Sequence, residues 1–507
     1  MLLATKKMIS DIDEYAEREL GIDGMALMYN AGRSAASEIL SLIGESARAV
    51  VLCGKGKNGG DGYVIASELY EAGHSVCVFE SETEQRDAAS AHWRDVYLAR
   101  QGEVYLLSDT EALAAACAEA DVILDALFGV GFRGELPTVE AEAVRIANST
   151  DTLRVALDIP SGAEADTGRV CEGCFSAHCT ITMEYVKRGM LLYPARGMTG
   201  EVRVCSIGVD REKVEVRFSF ADATVDREMI ERYLLARPAV SHKGTFGRAL
   251  LICGSDSMTG AAVLACEGAL RMGAGLCELV CTERVASVVA VRCPEVIFTT
   301  VPSAEKWNED TFYTILERVR NADTVVLGCG VGVHKNIRRL TKRILSSEGC
   351  PMLIDADGIN SLDGDIGALE RTARDVVITP HPKEFARLIG AECRDVLSDK
   401  YALTLGLAER CGITVLLKGA DSVTASGDGR CYINTTGNSG LARGGSGDVL
   451  SGMIGAMLAQ GIPAPEAAAI GAHIHGAAAD LLSEELGEVG MLPRDIPRAA
   501  AVYLSSI

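Results

Sequence analysis

Residues 437–452 read GNSGLARGGSGDVLSG, and this stretch decides how the second half of the chain folds. Glycines 444, 445 and 447 surround Ser446, and the apolar run that follows has the character of a helix. Glycines let backbone N–H groups converge, and the helix N-terminus adds partial positive charge, so Gly444, Gly445, Ser446 and Gly447 form a place for phosphate oxygens. Asp448 falls in the first helical turn, where a carboxylate can act as base on a substrate hydroxyl. A phosphate cradle beside a base is equipment for phosphoryl transfer to an alcohol. A helix-favouring Asp after glycines that merely turn the chain is the plainer reading.

Short apolar runs precede that stretch at ALLICG, CELVCT, TVVLGCG, PMLIDADG, DVVITPH and TVLLKG, alternating with helical segments, so this half reads as a doubly wound α/β domain. The small-residue helix expected from Ala261 to Met272 would sit tight on a sheet. Several strand ends carry chemistry. His381 lies between prolines. Lys418, Gly419, Ala420, Asp421 and Ser422 follow TVLL and could meet a nucleotide phosphate. Gly328, Gly330 and Gly332 end another strand. His473 and His475, inside an alanine-rich helix, read as structural.

The first half repeats the pattern. Two helices are expected around the turn at residues 21–24. The strand AVVLC then runs into GKGKNGGDG and a helix, a strand–glycine turn–helix beginning that is not GxGxxG. Further strands end at Asp125, before ALFGVGFRGE, and at Asp158, before IPSG. The carboxyl ends of parallel strands share one edge, where open α/β sheets bind ligands, so Asn58, Asp61, Asp125, Asp158 and Ser161 are expected to converge. Their oxygens suit an alkali or alkaline-earth cation. Residues 201–209 read as the last strand of this half. The join is placed near residue 215, giving domains 1–214 and 215–507.

The 507 residues suffice for two or three domains. Hydrophobic residues make up 48% and charged residues 23%, as in a well-packed globule. A net charge of −21 argues against general nucleic-acid binding and against an anionic membrane surface. No apolar stretch is long enough to span a bilayer. The opening MLLATKKMISDIDEYAEREL soon runs into charge, which reads as no secretory leader. The 17 cysteines, scattered through apolar segments, then read as reduced, cytoplasmic thiols. Cys171, Cys174, His178 and Cys179 have a spacing that could seat zinc. Cys179, however, opens the run CTITMEYV, whose side chains alternate between faces, and packed thiols are the preferred reading.

GKGKNGGDG, DALFGVGFRGE and LDIPSG, with the opening LMYNAGRSA, resemble the NAD(P)H-hydrate epimerase domain, or YjeF N-terminal domain, over roughly residues 8–209. That resemblance implies a Rossmann-like αβα sandwich and a potassium ion bound through Asn58, Asp125 and Ser161. It implies contacts to a hydrated nicotinamide nucleotide from Lys57, Asn58, Gly59, Gly60 and Asp61, from Gly129, Val130, Gly131, Phe132, Arg133, Gly134 and Glu135, and from Asp158. The chain departs from the family at Lys57, where Asn is usual, and at Tyr29, where Glu is usual.

HKGTFGRALLICGS, GAAVLACEGALRMGAGL, DADGIN, TPHPKEF, LLKGADS and GNSGLARGGSGDVLSG, in that order, resemble the ADP-dependent NAD(P)H-hydrate dehydratases, which have the ribokinase-like fold. Here the resemblance implies that Ala261, Gly330, Gly332, His381 and Asp448 face the hydrated nucleotide. Residues 418–422 and Gly447 would hold ADP, together with magnesium. Cys329 stands where Pro is usual and Gly358 where Ala is usual. Together the halves resemble the bifunctional NAD(P)H-hydrate repair enzymes, which epimerise hydrated NAD(P)H and dehydrate its S form with ADP, giving AMP and phosphate. Asp158 is then expected to transfer protons in the first domain and Asp448 in the second, in a homo-oligomer. Two rival readings are a small-molecule kinase, which would leave a phosphoester, and a first domain that only binds a ligand or partner.

Overall fold

The computed structural model describes residues 1–83, 85–235 and 237–507. The chain divides into two compact units, Leu2–Asp222 and Ala223–Ile507, the latter together with Met1.

The first unit is built on a seven-stranded parallel sheet. Its strands are β1 (Arg48–Cys53), β2 (Ser75–Glu80), β3 (Glu103–Leu106), β4 (Val122–Ala126), β5 (Leu153–Leu157), β6 (Cys179–Met183) and β7 (Glu201–Cys205). They lie in the order β3-β2-β1-β4-β5-β6-β7, which reverses between β1 and β4. β1 shows why its sequence is almost all apolar: Val50 and Leu52 enter one core with Leu113 and Phe175, while Val51 and Cys53 enter the other with Ile39 and Tyr63. A parallel strand covered on both faces has no side to leave polar.

Helices α1 (Lys6–Arg18) and α2 (Gly24–Leu42) flank the expected turn. Each starts at a side-chain cap, Thr5 accepting from the Met8 N–H and Asp23 from the Ala26 N–H at 2.8 Å. Helix α3 (Lys57–Glu71) follows β1 directly. A short strand at Leu2–Ala4, unforeseen in the sequence, pairs with Val186–Lys187 in parallel. Arg211–Arg217, at the expected join near residue 215, is a short helix with Val214 as its buried residue. One buried position cannot reveal a 3.6-residue repeat.

In the second unit the strands are β8 (Arg248–Ile252), β9 (Leu276–Cys281), β10 (Ile297–Thr300), β11 (Thr324–Leu327), β12 (Met352–Ile354), β13 (Val376–Ile378), β14 (Thr414–Leu417), β15 (Val423–Ala425) and β16 (Cys431–Ile433). Their order is β10-β9-β8-β11-β12-β13-β14-β15-β16, with β14, β15 and β16 paired antiparallel. Helices α4 (Thr259–Arg271), α5 (Pro382–Ile389), α6 (Ser446–Ala459) and α7 (Ala464–Gly490) shape the site. As expected, α4 packs on the sheet, its Ala262, Ala265 and Ala269 sharing a core with Leu251 and Leu279, and its small residues also admit α6. A Cβ on Gly452 of α6 would lie 1.9 Å from the Ala265 carbonyl oxygen, and one on Gly268 of α4 would lie 2.4 Å from that of Val449. Only glycine permits this approach.

Candidate functional sites

At the carboxyl ends of β1, β4 and β5 the first unit holds a cavity of about 1070 Å³. This is the reversal point of the strand order, where open parallel sheets bind ligands. The turns that bound it interlock through glycine: a Cβ on Gly54 would meet the Leu127 oxygen at 1.9 Å, and one on Gly59 would meet the Gly54 oxygen at 2.0 Å.

Asp125 ends β4 and is wholly buried. It accepts from the Ser161 backbone N–H at 2.7 Å, the Ser161 hydroxyl at 2.6 Å and the Leu127 N–H at 3.2 Å. Burial pushes its carboxyl up to about 6 against those hydrogen bonds. Ser161 Oγ also accepts from the Phe128 N–H at 2.9 Å. Asn58 donates to the carbonyls of Phe128, at 3.0 Å, and Leu157, at 3.3 Å. Asn58, Asp125 and Ser161 are thus joined through Phe128 into one buried cluster.

Asp158 follows β5 with a positive φ of 68°, uncommon for a residue other than glycine. Its Oδ1 accepts from the Met183 N–H at 3.2 Å, the Thr182 hydroxyl at 3.4 Å and the ammonium of Lys187. Asp61, on α3, lines the same cavity, and burial, then the Asp158 carboxylate, raises its pKa well above the ordinary range. Gly129, Val130, Gly131, Phe132, Arg133 and Glu135 also line it, and Gly134, with φ +80°, turns that loop. Lys57 lies at the helix start with its ammonium 3.7 Å from Asp13. Gly59 and Gly60 lie in the same turn between Asn58 and Asp61; a Cβ on Gly60 would strike the sulfur of Met28, which lines the cavity, at 2.4 Å. Tyr29 stacks on Trp93, ring centroids 5.3 Å apart. The sequence reading missed Lys187 and Asp13. Burial of Asp13 raises its pKa against the nearby Lys57.

In the second unit the glycine turn enters α6 as expected, with Gly445 at φ +105° before its first residue. A Cβ on Gly447 would lie 3.2 Å from Lys418 Nζ and 3.6 Å from Asp355 Oδ2. The cradle therefore faces an ion pair, Lys418 donating to Asp355 at 2.8 Å. Asp355 is buried after β12 and also accepts from Ser451 at 2.8 Å. Burial disfavours the Lys418 ammonium, yet the Asp355 carboxylate outweighs it and raises the lysine pKa. Burial, with Asp355 second, pushes the Asp448 carboxyl up to about 6.

His381 caps α5. Its Nδ1 accepts from the N–H groups of Lys383, at 3.1 Å, and Glu384, at 3.3 Å, while Glu384 accepts from the His381 N–H at 2.9 Å. Nδ1 is an acceptor, so the neutral ring carries its proton on Nε2. Burial lowers its pKa, and the neighbouring Glu384 works against that shift. Ala261 and Gly330 meet directly: a Cβ on Gly330, whose φ is +65°, would lie 2.8 Å from the Ala261 methyl. Gly332 donates its N–H to Asp357 at 2.9 Å. Gly419, Ala420 and Asp421 form the β14–β15 turn, closed by Ser422 Oγ accepting from the Gly419 N–H at 3.0 Å, and Lys400 pairs with Asp421. His473 bonds Tyr503 at 2.9 Å. His475 lies beneath the cradle with Nε2 3.0 Å from the Ser446 oxygen. Asp355 was legible inside DADGIN but was not singled out.

Among the described residues no cluster of three or more His, Cys, Asp or Glu could hold a metal, and Cys171, Cys174 and Cys179 are buried free thiols. No described helix is long and apolar enough to cross a membrane.

Residues 24–189 match the family model of the YjeF-related protein N-terminus, and residues 249–501 match that of NAD(P)H-hydrate dehydratase. The bifunctional NAD(P)H-hydrate repair enzyme of Moorella thermoacetica is 34% identical over 505 residues, covering 98% of this chain and 95% of that protein. Its counterpart in Escherichia coli is 35% identical, covering 94% and 89%. Among solved structures, a ribokinase-like superfamily protein from Enterococcus faecalis is similar to 57% of this chain and 97% of its own, with TM-score 0.50 and 25% identity. Matched along nearly its whole length, the chain belongs to the family of bifunctional NAD(P)H-hydrate repair enzymes.

Proposed function

We propose that the second unit dehydrates the S form of hydrated NADH and NADPH with ADP as phosphoryl donor, and that the first unit interconverts the R and S forms. The observation that carries this reading is the cradle, whose Gly447 packs on the Lys418–Asp355 pair with Asp448 one residue on. Asp448 takes the proton of the C6 hydroxyl, and that oxygen attacks the terminal phosphorus of ADP, releasing AMP. Hydroxide leaves poorly and phosphate leaves well. The ring nitrogen pushes the C6–O bond open, phosphate departs, and loss of a C5 proton restores the reduced nicotinamide. Lys418 and the N–H groups of Gly444, Gly445, Ser446 and Gly447 stabilise the transferred phosphoryl group. Gly419, Ala420, Asp421 and Ser422 hold the nucleotide. Ala261, Gly330, Gly332 and the Nε2–H of His381 face the hydrate.

In the first unit Asp158 takes the C6 hydroxyl proton as the C6–N1 bond opens to an aldehyde and N1 is protonated. Asp61, its neutral form favoured by burial, is the available donor. Rotation about C5–C6 and the reverse transfers set the hydroxyl on the other face. Lys57, Asn58 and the loop from Gly129 to Glu135 bind the nucleotide.

The cluster of Asn58, Asp125, Ser161 and the Phe128 carbonyl fits a potassium ion. Its donors are all oxygens, and Asp125 is a wholly buried carboxylate whose described partners are neutral N–H and O–H groups. A bound cation would supply the missing charge and fix the two loops. Potassium in place of choline should raise the melting temperature of the wild type and not that of Asp125→Ala; equal shifts would remove the ion from this site. The 17 cysteines, free where described, suit a cytoplasmic setting, and a homo-oligomer is the expected assembly.

The deciding experiment supplies both epimers of hydrated NADH with ADP, ATP freed of ADP, or no nucleotide, and follows absorbance of the reduced nicotinamide. Full conversion with ADP and free phosphate is expected. A stable phosphoester would favour a small-molecule kinase instead. A reacting phosphate displaced by about 1 Å can cost ~10²-fold, so ATP should be the poorer donor; equal turnover with ATP would overturn the donor assignment alone.

A further inference from the structure

We propose that Lys187 is a positioning residue for epimerisation, fixing the Asp158 carboxylate so that Oδ2 alone is presented to the substrate. This rests on the epimerase reading of the first unit. Lys187 is wholly buried, and its ammonium has three acceptors: Asp158 Oδ1, the Thr182 hydroxyl at 3.0 Å and the Met183 carbonyl at 3.0 Å. An ammonium has three protons, so none is left for a ligand. Lys187 therefore acts through Asp158 rather than on the substrate.

The carboxylate is asymmetric. The described hydrogen bonds from Lys187, Thr182 and Met183 all end on Oδ1. Oδ2 points toward the Gly129 loop, where a Cβ on Gly129 would lie 3.6 Å from it. The cavity opens on that same side. Asp158 also holds a positive φ, a backbone state that persists where surrounding contacts over-determine it. Lys187 supplies such a contact from a separate segment, and its own backbone is pinned by the parallel pairing of Ala4 with Lys187. Proton transfer depends steeply on the placement of the accepting oxygen, and an ångström of misplacement can cost ~10²-fold.

The test uses the full chain: melting of the first unit reports its folding, and the dehydratase rate with the S form supplied reports the amount of chain in the same preparation. Lys187→Met should lower epimerase kcat about 10²-fold, with KM for hydrated NADH changed less than about threefold and the dehydratase rate unchanged. Lys187→Ala should regain rate with added methylammonium and not with neutral methanol. Thr182→Val, a milder change that removes one anchor of the ammonium, should lower kcat about tenfold at constant KM and serves if the lysine variants fail to fold. Wild-type kcat in the variants, a loss confined to KM, or equal rescue by the neutral molecule would each overturn the proposal. A wild-type chain without epimerase activity would overturn the functional reading instead.

Discussion

Asp448 is one residue past the cradle, and under the proposed mechanism its removal should separate the two activities. Asp448→Asn keeps the shape and loses the base, so dehydration should fall at least ~10²-fold while epimerisation stays intact. Near-wild-type dehydration would exclude the role. Its pKa also sets a pH dependence. The carboxyl is raised to about 6, and a base must be deprotonated, so dehydration should fall as pH drops through about 6. An acid limb near pH 4 would place a different base at the hydroxyl. Asp448 was legible because glycines bracket it in sequence. Lys187 and Asp355 were not singled out, because their importance lies in partners 29 and 63 residues away. A sequence displays spacing along the chain, and ion pairs across strand ends have none to display.

At the scale of elements, strands were read where both faces are buried, as in β1, β4, β8 and β14, since such strands are nearly continuous apolar runs. β3, β10, β15 and β16 went unread: β3 and β10 are edge strands with exposed positions at Tyr105, Leu106 and Ile297, and β15 and β16 are three residues long. The expected partner of α4 was the sheet, and it packs there, but its small residues also admit α6. Composition reports how closely a helix can be approached but not by what. The contact matters to the site because α6 carries the cradle at its N-terminus. Gly452→Ala places a methyl 1.9 Å from the Ala265 oxygen. The helices must separate, and a destabilisation of about 1–3 kcal/mol in denaturant unfolding is expected, with slower dehydration. Unchanged stability would mean that α4 and α6 are not in contact through this glycine.

At the scale of the molecule, two candidate sites lie in two compact units, and each unit has its own apolar core. In the first unit the sheet is covered by clusters around Val51 and Leu52, and in the second by clusters around Leu251 and Leu250. Each unit is within the size range of domains that fold alone. The residues assigned to each site also come from one unit: Asn58 to Lys187 from the first, Ala261 to Asp448 from the second. Joining two such enzymes in one chain then needs no shared catalytic residue. A fragment ending at Asp222 should epimerise hydrated NADH and melt cooperatively, and a fragment beginning at Ala223 should dehydrate the S form with ADP. Mixed together, they should clear a racemic hydrate, because the product of the first diffuses freely to the second. The mixture would run more slowly than the intact chain at low concentration only if substrate passes between linked sites. Soluble fragments without activity would show that one site borrows residues from the other unit, and insolubility of both would show a core held in common.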